Sequence, residues 1–212
     1  MAQAGSVVYV VDDDESIRTR LEALLRGAGL SVRSFESAKA FLTVLPQTQS
    51  GCIVTDVRMP EVTGMELLRH VMTTRPEFPV IVMTGMGDVA LAVEAMKTGA
   101  VDFLEKPFED GPMLSAVHAA IKREEEASTR KTENANIRDR LDSLSKRERQ
   151  VLEELLSGNP NKIMAYNLGI SARTIEKYRA NLMDKMAAKS VSDLVRMSIK
   201  AGILDNSSKT GR

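Results

Sequence analysis

In the first half of the chain, short apolar runs end in polar residues that could together perform phosphoryl chemistry. Asp12, Asp13 and Asp14 follow the run at 7–11, Asp56 follows 52–55, Thr84 follows 80–83, and Lys106 lies just past 101–104. Several carboxylates in one pocket repel unless a cation neutralises them. Oxygen ligands of this kind suit Mg²⁺, which takes one or two carboxylates and keeps several waters. A carboxylate beside such a cation can attack a phosphoryl group and form an acyl phosphate. A lysine and a hydroxyl then offset the charge that develops on the phosphoryl oxygens. This assigns Asp56 as nucleophile, Asp12 and Asp13 as the metal pair, Thr84 as the hydroxyl contact and Lys106 as the counter-charge. A lone aspartate at a strand end is more often a helix cap, and Asp14 or Glu15 fits that description. A set of polar residues at matching strand ends does not.

The elements that must position these residues follow from the hydrophobic pattern. The apolar runs at 7–11, 52–55, 80–83 and 101–104 are nearly continuous, and that at 30–34 is less so. Continuous runs of this length predict strands buried on both faces of a parallel sheet. Helical patterns lie between and after them, at 15–28, 37–45, 64–73, 88–98 and 110–123. The repeated strand-helix alternation predicts a doubly wound α/β domain with a five-stranded parallel sheet over residues 1–122. The ligand site of such a fold lies outside the carboxyl ends of the strands.

Residues 123–143 are highly charged, lack Gly and Pro, and are almost free of apolar side chains. They predict an exposed helical linker, with a disordered tether as the alternative. Residues 144–204 hold no strand pattern and instead predict four short helices. These run over 146–157, over 161–168, from Ser171 to about Met186, and from Ser190 or Ser192 to about Ala201, forming a small all-α bundle. The tail 205–212 is expected to be disordered.

The net charge of zero conceals a division. Residues 1–122 carry 11 Lys and Arg against 16 Asp and Glu, whereas residues 144–212 carry 13 against 7. An acidic head on a basic tail is expected where one part handles a cation and the other meets nucleic acid. Chance segregation of solvated faces is the plainer alternative. The single Cys52 lies in an apolar run and has no intrachain partner, which predicts a packing role in a reducing, cytoplasmic setting. No stretch approaches the roughly 18–20 apolar residues of a membrane span. The start, MAQAGSVVYVVDDDES, lacks a basic n-region and does not read as a secretory signal.

The segments VVDDDES, VTDVRMPEVTGMELL, VIVMTGMGD and GAVDFLEKPFE resemble the receiver domains of two-component systems, with a CheY-like (flavodoxin-like) fold, across residues 5–122. The resemblance implies phosphorylation of Asp56 by a sensor histidine kinase. It also implies a metal site completed by the backbone carbonyl of Arg58, and a cis peptide at Lys106-Pro107. Phe103 falls at the aromatic position that rotates together with the hydroxyl of Thr84, and an ordinary packing role is its alternative. Met86 stands where related sequences often have a polar or basic residue, a difference that bears on phosphate lifetime.

In NPNKIMAYNLGISARTIEKYRANLMDKM, Gly169 stops one short helix and Ser171 opens a longer one, the layout of a helix-turn-helix. Ile175, Leu182, Met183 and Met186 form its inward face. Arg173, Lys177 and Arg179, with Thr174 and Glu176, occupy the half that enters a major groove. Arginine pairs bidentately with guanine, and glutamate accepts from cytosine. Lys162, Thr174 and Tyr178 suit phosphate contacts, which position without specifying. On spacing alone the alternative is a solvated amphipathic helix. Residues 144–204 are similar throughout to LuxR/NarL-type output domains, and SARTIEKYRANLMDKM and GNPNKIMA look closest to the FixJ subgroup. Lys177 and Tyr178 depart from the apolar residue and histidine common there. The resemblance implies a transcription activator that binds double-stranded DNA and forms a homodimer on phosphorylation. It makes the last helix a dimer contact, with Leu194, Val195, Met197 and Ser198 as candidates.

The combined reading is a non-enzymatic, phosphorylation-switched DNA-binding regulator with no membrane partner. Two others compete with it. An aspartyl phosphatase would use a D-x-D pair after the first strand, and Asp12 and Asp14 have that spacing. A protein-interaction relay would have the same receiver without DNA binding.

Overall fold

The computed structural model describes residues 7–85 and 88–203. It divides into two compact units, one up to Ser128 and the other from Thr129. The predicted tail 205–212 and Met86 lie outside the described residues.

The first unit is built on five parallel strands: β1 Val7–Val11, β2 Ser31–Phe35, β3 Gly51–Asp56, β4 Val80–Thr84 and β5 Asp102–Glu105. They are ordered β2-β1-β3-β4-β5. Between them run α1 Glu15–Gly27, α2 Ala38–Val44, α3 Gly64–Thr74 and α4 Val89–Thr98, and α5 Asp110–Asp142 follows β5. Successive strand residues point to opposite faces, and here both faces are covered. On β1, Tyr9 and Val11 enter one apolar cluster, with Phe41 of α2 and Leu67, Leu68 and Val71 of α3. Val8 and Val10 enter a second cluster, with Leu21 and Leu25 of α1 and Met113 and Val117 of α5. Double coverage explains why β1, β3 and β4 read as unbroken apolar runs. Cys52 of β3 lies fully buried in the second cluster, and burial pushes its thiol pKa upward.

β5 departs from the expected continuous burial. Among the described residues it is an edge strand, paired with β4 alone. Its burial alternates, and Phe103 stands outward at 42% exposure.

The expected linker is also different. A single helix, α5, runs through Asp142, so the helix predicted at 110–123 continues without a break. The segment has a core role that its sparse apolar content did not predict, because Ile137 and Leu141 are buried with the core of the second unit. Their spacing of four residues puts them on one helix face, which suffices for a narrow contact.

That second unit holds α6 Lys146–Leu156, α7 Asn161–Leu168, α8 Ala172–Met186 and α9 Val191–Lys200. Val151, Leu152, Met164, Ile175, Leu182, Met186 and Leu194 fill its core. Ser145, Ser171 and Ser190 each accept a first-turn amide and so start α6, α8 and α9. Of the two predicted openers of the last helix, Ser190 is therefore the cap. Gly169 ends α7 with φ of 66°, a left-handed turn that favours glycine.

α3 presses unusually close to the strand bearing Asp56. A Cβ on Gly64 would lie 1.9 Å from the Asp56 carbonyl oxygen, and the Gly64 amide donates to Val57 O at 2.9 Å. Gly64→Ala forces backbone apart rather than a flexible side chain. We expect a loss of roughly 1–3 kcal/mol, the range for overpacking, measured as a lowered midpoint in urea unfolding of the full chain. Unchanged stability would show that α3 moves away freely.

Candidate functional site

Register places the charged residues of the first unit together. Val11 of β1 is level with Thr55 of β3, so Asp12 and Asp56 leave the sheet side by side. Thr84 is level with Glu105, and the Lys106 amide donates to Thr84 O at 2.7 Å. The Lys106-Pro107 peptide is cis, as the resemblance implies. Lys106 Nζ then reaches Asp12 Oδ2 at 2.8 Å and Asp56 Oδ1 at 2.6 Å. The second oxygens are held by backbone, with Asp14 N donating to Asp12 Oδ1 at 2.9 Å and Arg58 N to Asp56 Oδ2 at 2.7 Å. Asp12, Asp56 and Thr84 are buried. Burial pushes the Asp12 pKa up, with Lys106 pulling back. Burial also works against the charge on Lys106, yet hydrogen bonds from Asp12 and Asp56 outweigh it and raise its pKa. The arrangement is an ammonium fixed between two carboxylates at the mouth of a parallel sheet.

Asp13 is exposed and lines a groove of about 720 Å³ with Val57, Arg58 and Met59. Among the described residues no three acidic, His or Cys side chains converge as a ready-made metal cage. The donor set still fits Mg²⁺, which needs only one or two carboxylates and completes its shell with water. Asp14 stands apart, because its carboxylate accepts from Ser16 N at 2.8 Å and Ile17 N at 3.4 Å and caps α1. The D-x-D pair of the phosphatase reading is thereby split between two tasks.

In the second unit α7, the turn at Gly169 and α8 form the expected helix-turn-helix. Arg173, Glu176 and Lys177 share the exposed face of α8, along with Ala180 and Asn181, which the sequence reading did not single out. Lys162 is exposed at the start of α7. Three other predicted contacts are engaged within the unit. Thr174 bonds the capping Ser171 at 2.8 Å, Tyr178 packs against the core, and Arg179 donates to Asn161 Oδ1.

Of the residues predicted for a dimer contact on the last helix, Leu194 and Ser198 are fully buried, and the Ser198 hydroxyl has no hydrogen-bond partner among the described residues. Met197 is partly buried against the same core, which Ile137 of α5 shares. The apolar residues that α9 shows to solvent are Val191 and Ile199, with Val195 half-buried between them.

Comparison with known proteins assigns a family to each of the two units. Residues 8–118 match the response regulator receiver domain, and residues 142–198 match the bacterial regulatory proteins of the luxR family. The chain belongs to the response regulators with a LuxR-type output domain. It is 50% identical to the transcriptional regulatory protein FixJ of Bradyrhizobium diazoefficiens, covering 94% of this chain and 97% of that one. It is 40% identical to the response regulator TodT of Pseudomonas putida, covering 93% and 87%. Among solved structures, full-length FixJ from B. japonicum matches at 50% identity and a TM-score of 0.60, covering 96% and 100%. The response regulator StyR matches at 37% identity and a TM-score of 0.83, covering 93% and 100%. The protein is a phosphorylation-dependent transcriptional regulator. No helix among its described residues is long and apolar enough to cross a membrane.

One pair that sequence reading missed joins two helices of the DNA-binding domain of this regulator. Glu148 is buried, and its Oε2 accepts from Lys185 Nζ and Ser145 N, each at 2.7 Å. This ties the last turn of α8 to the first turn of α6. The spacing of Ser145 and Glu148 is a capping-box signal, but Lys185, 37 residues away, carries no local cue. Lys185, followed by the Ser145 amide, lowers the Glu148 pKa from 4.5 to about 2. The sign follows from linkage, since a depressed carboxylate stabilises fully above its unfolded value and loses that stabilisation as pH falls through its folded one. Glu148→Gln is expected to lower the thermal stability of the output domain near neutrality. Its stability is also expected to fall less steeply than wild type between pH 4.5 and about 2. Parallel curves would remove Glu148 from the acid limb.

Proposed function

We propose that Asp56 accepts a phosphoryl group from the phosphohistidine of a sensor kinase. Its free carboxylate lone pair attacks phosphorus, the P–N bond breaks, and the electron pair leaves with the imidazole. The bridge from Lys106 to Asp12 and Asp56 is the observation that carries this reading. It supplies a fixed ammonium where phosphoryl oxygens would gather charge. Thr84 offers a hydroxyl to one of those oxygens. Asp12, Asp13, Asp56 and the Arg58 carbonyl would hold Mg²⁺, which supplies charge neutralisation for the transfer when bound. Asp56 and its neighbours accept and hold the group rather than turn over substrate.

Phosphorylation is read out by dimerisation. Val89, Val93 and Met96 on α4 and Phe103 on β5 are exposed apolar residues on neighbouring elements. They favour a second copy as occupant, with Phe103 turning as Thr84 engages the phosphoryl group. Pairing brings two output domains to one site, and avidity of this kind raises DNA affinity by roughly 10²–10⁴. On DNA, Val191, Val195 and Ile199 of α9 are better placed for a dimer contact than Leu194 and Ser198. The basic face of α8 enters the major groove, and the protein works in the cytoplasm as a transcription activator.

Asp56→Asn is expected to abolish acetyl-phosphate-driven dimerisation, measured by sedimentation of the full chain. Equal dimer formation would refute the switch. Arg173→Ala is expected to weaken binding to the cognate site by about 1–3 kcal/mol, the value of one bidentate base contact, in a titration at fixed salt. An unchanged affinity removes Arg173 from the interface.

A further inference from the structure

The side chain of Arg58 bridges two places that a phosphorylation signal must connect. Its amide holds Asp56 Oδ2, while its guanidinium pairs with Asp88 at 2.6 Å. Asp88 occupies the position that opens α4, and its carbonyl accepts the first helical bond from Ala92 at 3.0 Å. An aspartate there ordinarily caps the helix with its carboxylate. Asp88 makes no such bond, whereas Asp14 and Thr63 do cap α1 and α3. The Asp88 carboxylate is instead turned toward the guanidinium. The Arg58 side chain is 72% exposed and so has room to swing. Directly after Asp88 comes Val89, the first of the exposed apolar residues of α4, with Val93 one turn further on.

We infer that Arg58 and Asp88 are positioning residues that transmit the state of Asp56 to the start of α4 by exchanging partners. The inference rests on the reading of Asp56 as phosphoacceptor. In the unmodified chain the guanidinium holds the Asp88 carboxylate away from the helix. A phosphoryl group on Asp56 carries more charge than a carboxylate and presents several oxygens to the planar fork of an arginine. Arg58 moves to it, and Asp88 is released to accept the free amides of the first turn of α4. The first turn, which bears Val89, is then re-set as the site is occupied. The pair between Arg69 and Glu94, at 2.5 Å, ties α3 to the middle of α4, so the change is confined to the helix start.

Hydrogen exchange of the full chain, with and without acetyl phosphate and Mg²⁺, tests this directly, with phosphoryl uptake followed by intact mass. In wild type, uptake is expected to slow exchange of the Ala90 and Leu91 amides several-fold. Asp88→Ala takes up phosphoryl but gains no such protection. Asp88→Asn, which can cap yet holds the guanidinium weakly, is protected before and after. Arg58→Ala is protected without phosphorylation, and the double variant with Asp88→Ala is not. Asp88→Ala gaining wild-type protection while its mass reports the phosphoryl group would overturn the inference. So would a phosphorylated wild type with unchanged exchange. A wild type that takes up no phosphoryl group would overturn the parent reading of Asp56 instead, and this one with it.

Discussion

The first unit is organised around one unfavourable fact, that Asp12 and Asp56 are buried side by side. Two carboxylates in a region of low dielectric repel strongly, and each loses its hydration. Lys106 makes the pair tolerable by standing between them, and the backbone amides of Asp14 and Arg58 hold the remaining oxygens. The balance is local, because a buried ion pair adds little stability beyond its own desolvation. Its value lies in poise. A fourth charged group arriving at Asp56 must redistribute Lys106, and everything bonded to these few atoms feels that change.

Parallel topology is what makes this possible. The neighbours β1, β3 and β4, with β5 beyond them, end on the same side, so one or two residues at each strand end suffice to build the site. No helix contributes a reacting group. The helices cover the two sheet faces and set how closely the loops approach. Gly64 is the clearest case, since its lack of a side chain is what lets α3 touch the backbone of Asp56.

Much of the receiver was legible because its signals are local or periodic. Asp12, Asp56, Thr84 and Lys106 follow apolar runs, and the runs are continuous because both sheet faces are covered. β5 misled, since an edge position depends on strand order and leaves no mark on composition. The role of α5 in the second core was equally hidden, because Ile137 and Leu141 are too sparse to register as an amphipathic pattern. In the output domain the caps at Ser145, Ser171 and Ser190 follow from residue type alone. Which α8 side chains remain available does not, because Arg179 is claimed by Asn161 of α7 through a contact between elements. Leu194 and Ser198 illustrate the same limit, since a helix pattern cannot say which of two possible partners its apolar face will meet.

The buried thiol of β3 gives the molecule one more property. Cys52 is the chain's only sulfhydryl, is sealed in the centre of the receiver sheet, and resists ionisation there. Thiolate is the form that reacts with oxidants and alkylating agents. The Cys52 thiol of the folded receiver is therefore a poor target for such reagents. Any thiol labelling that does occur times the opening of the sheet itself, making Cys52 a built-in clock for the unfolding of the domain that carries Asp56.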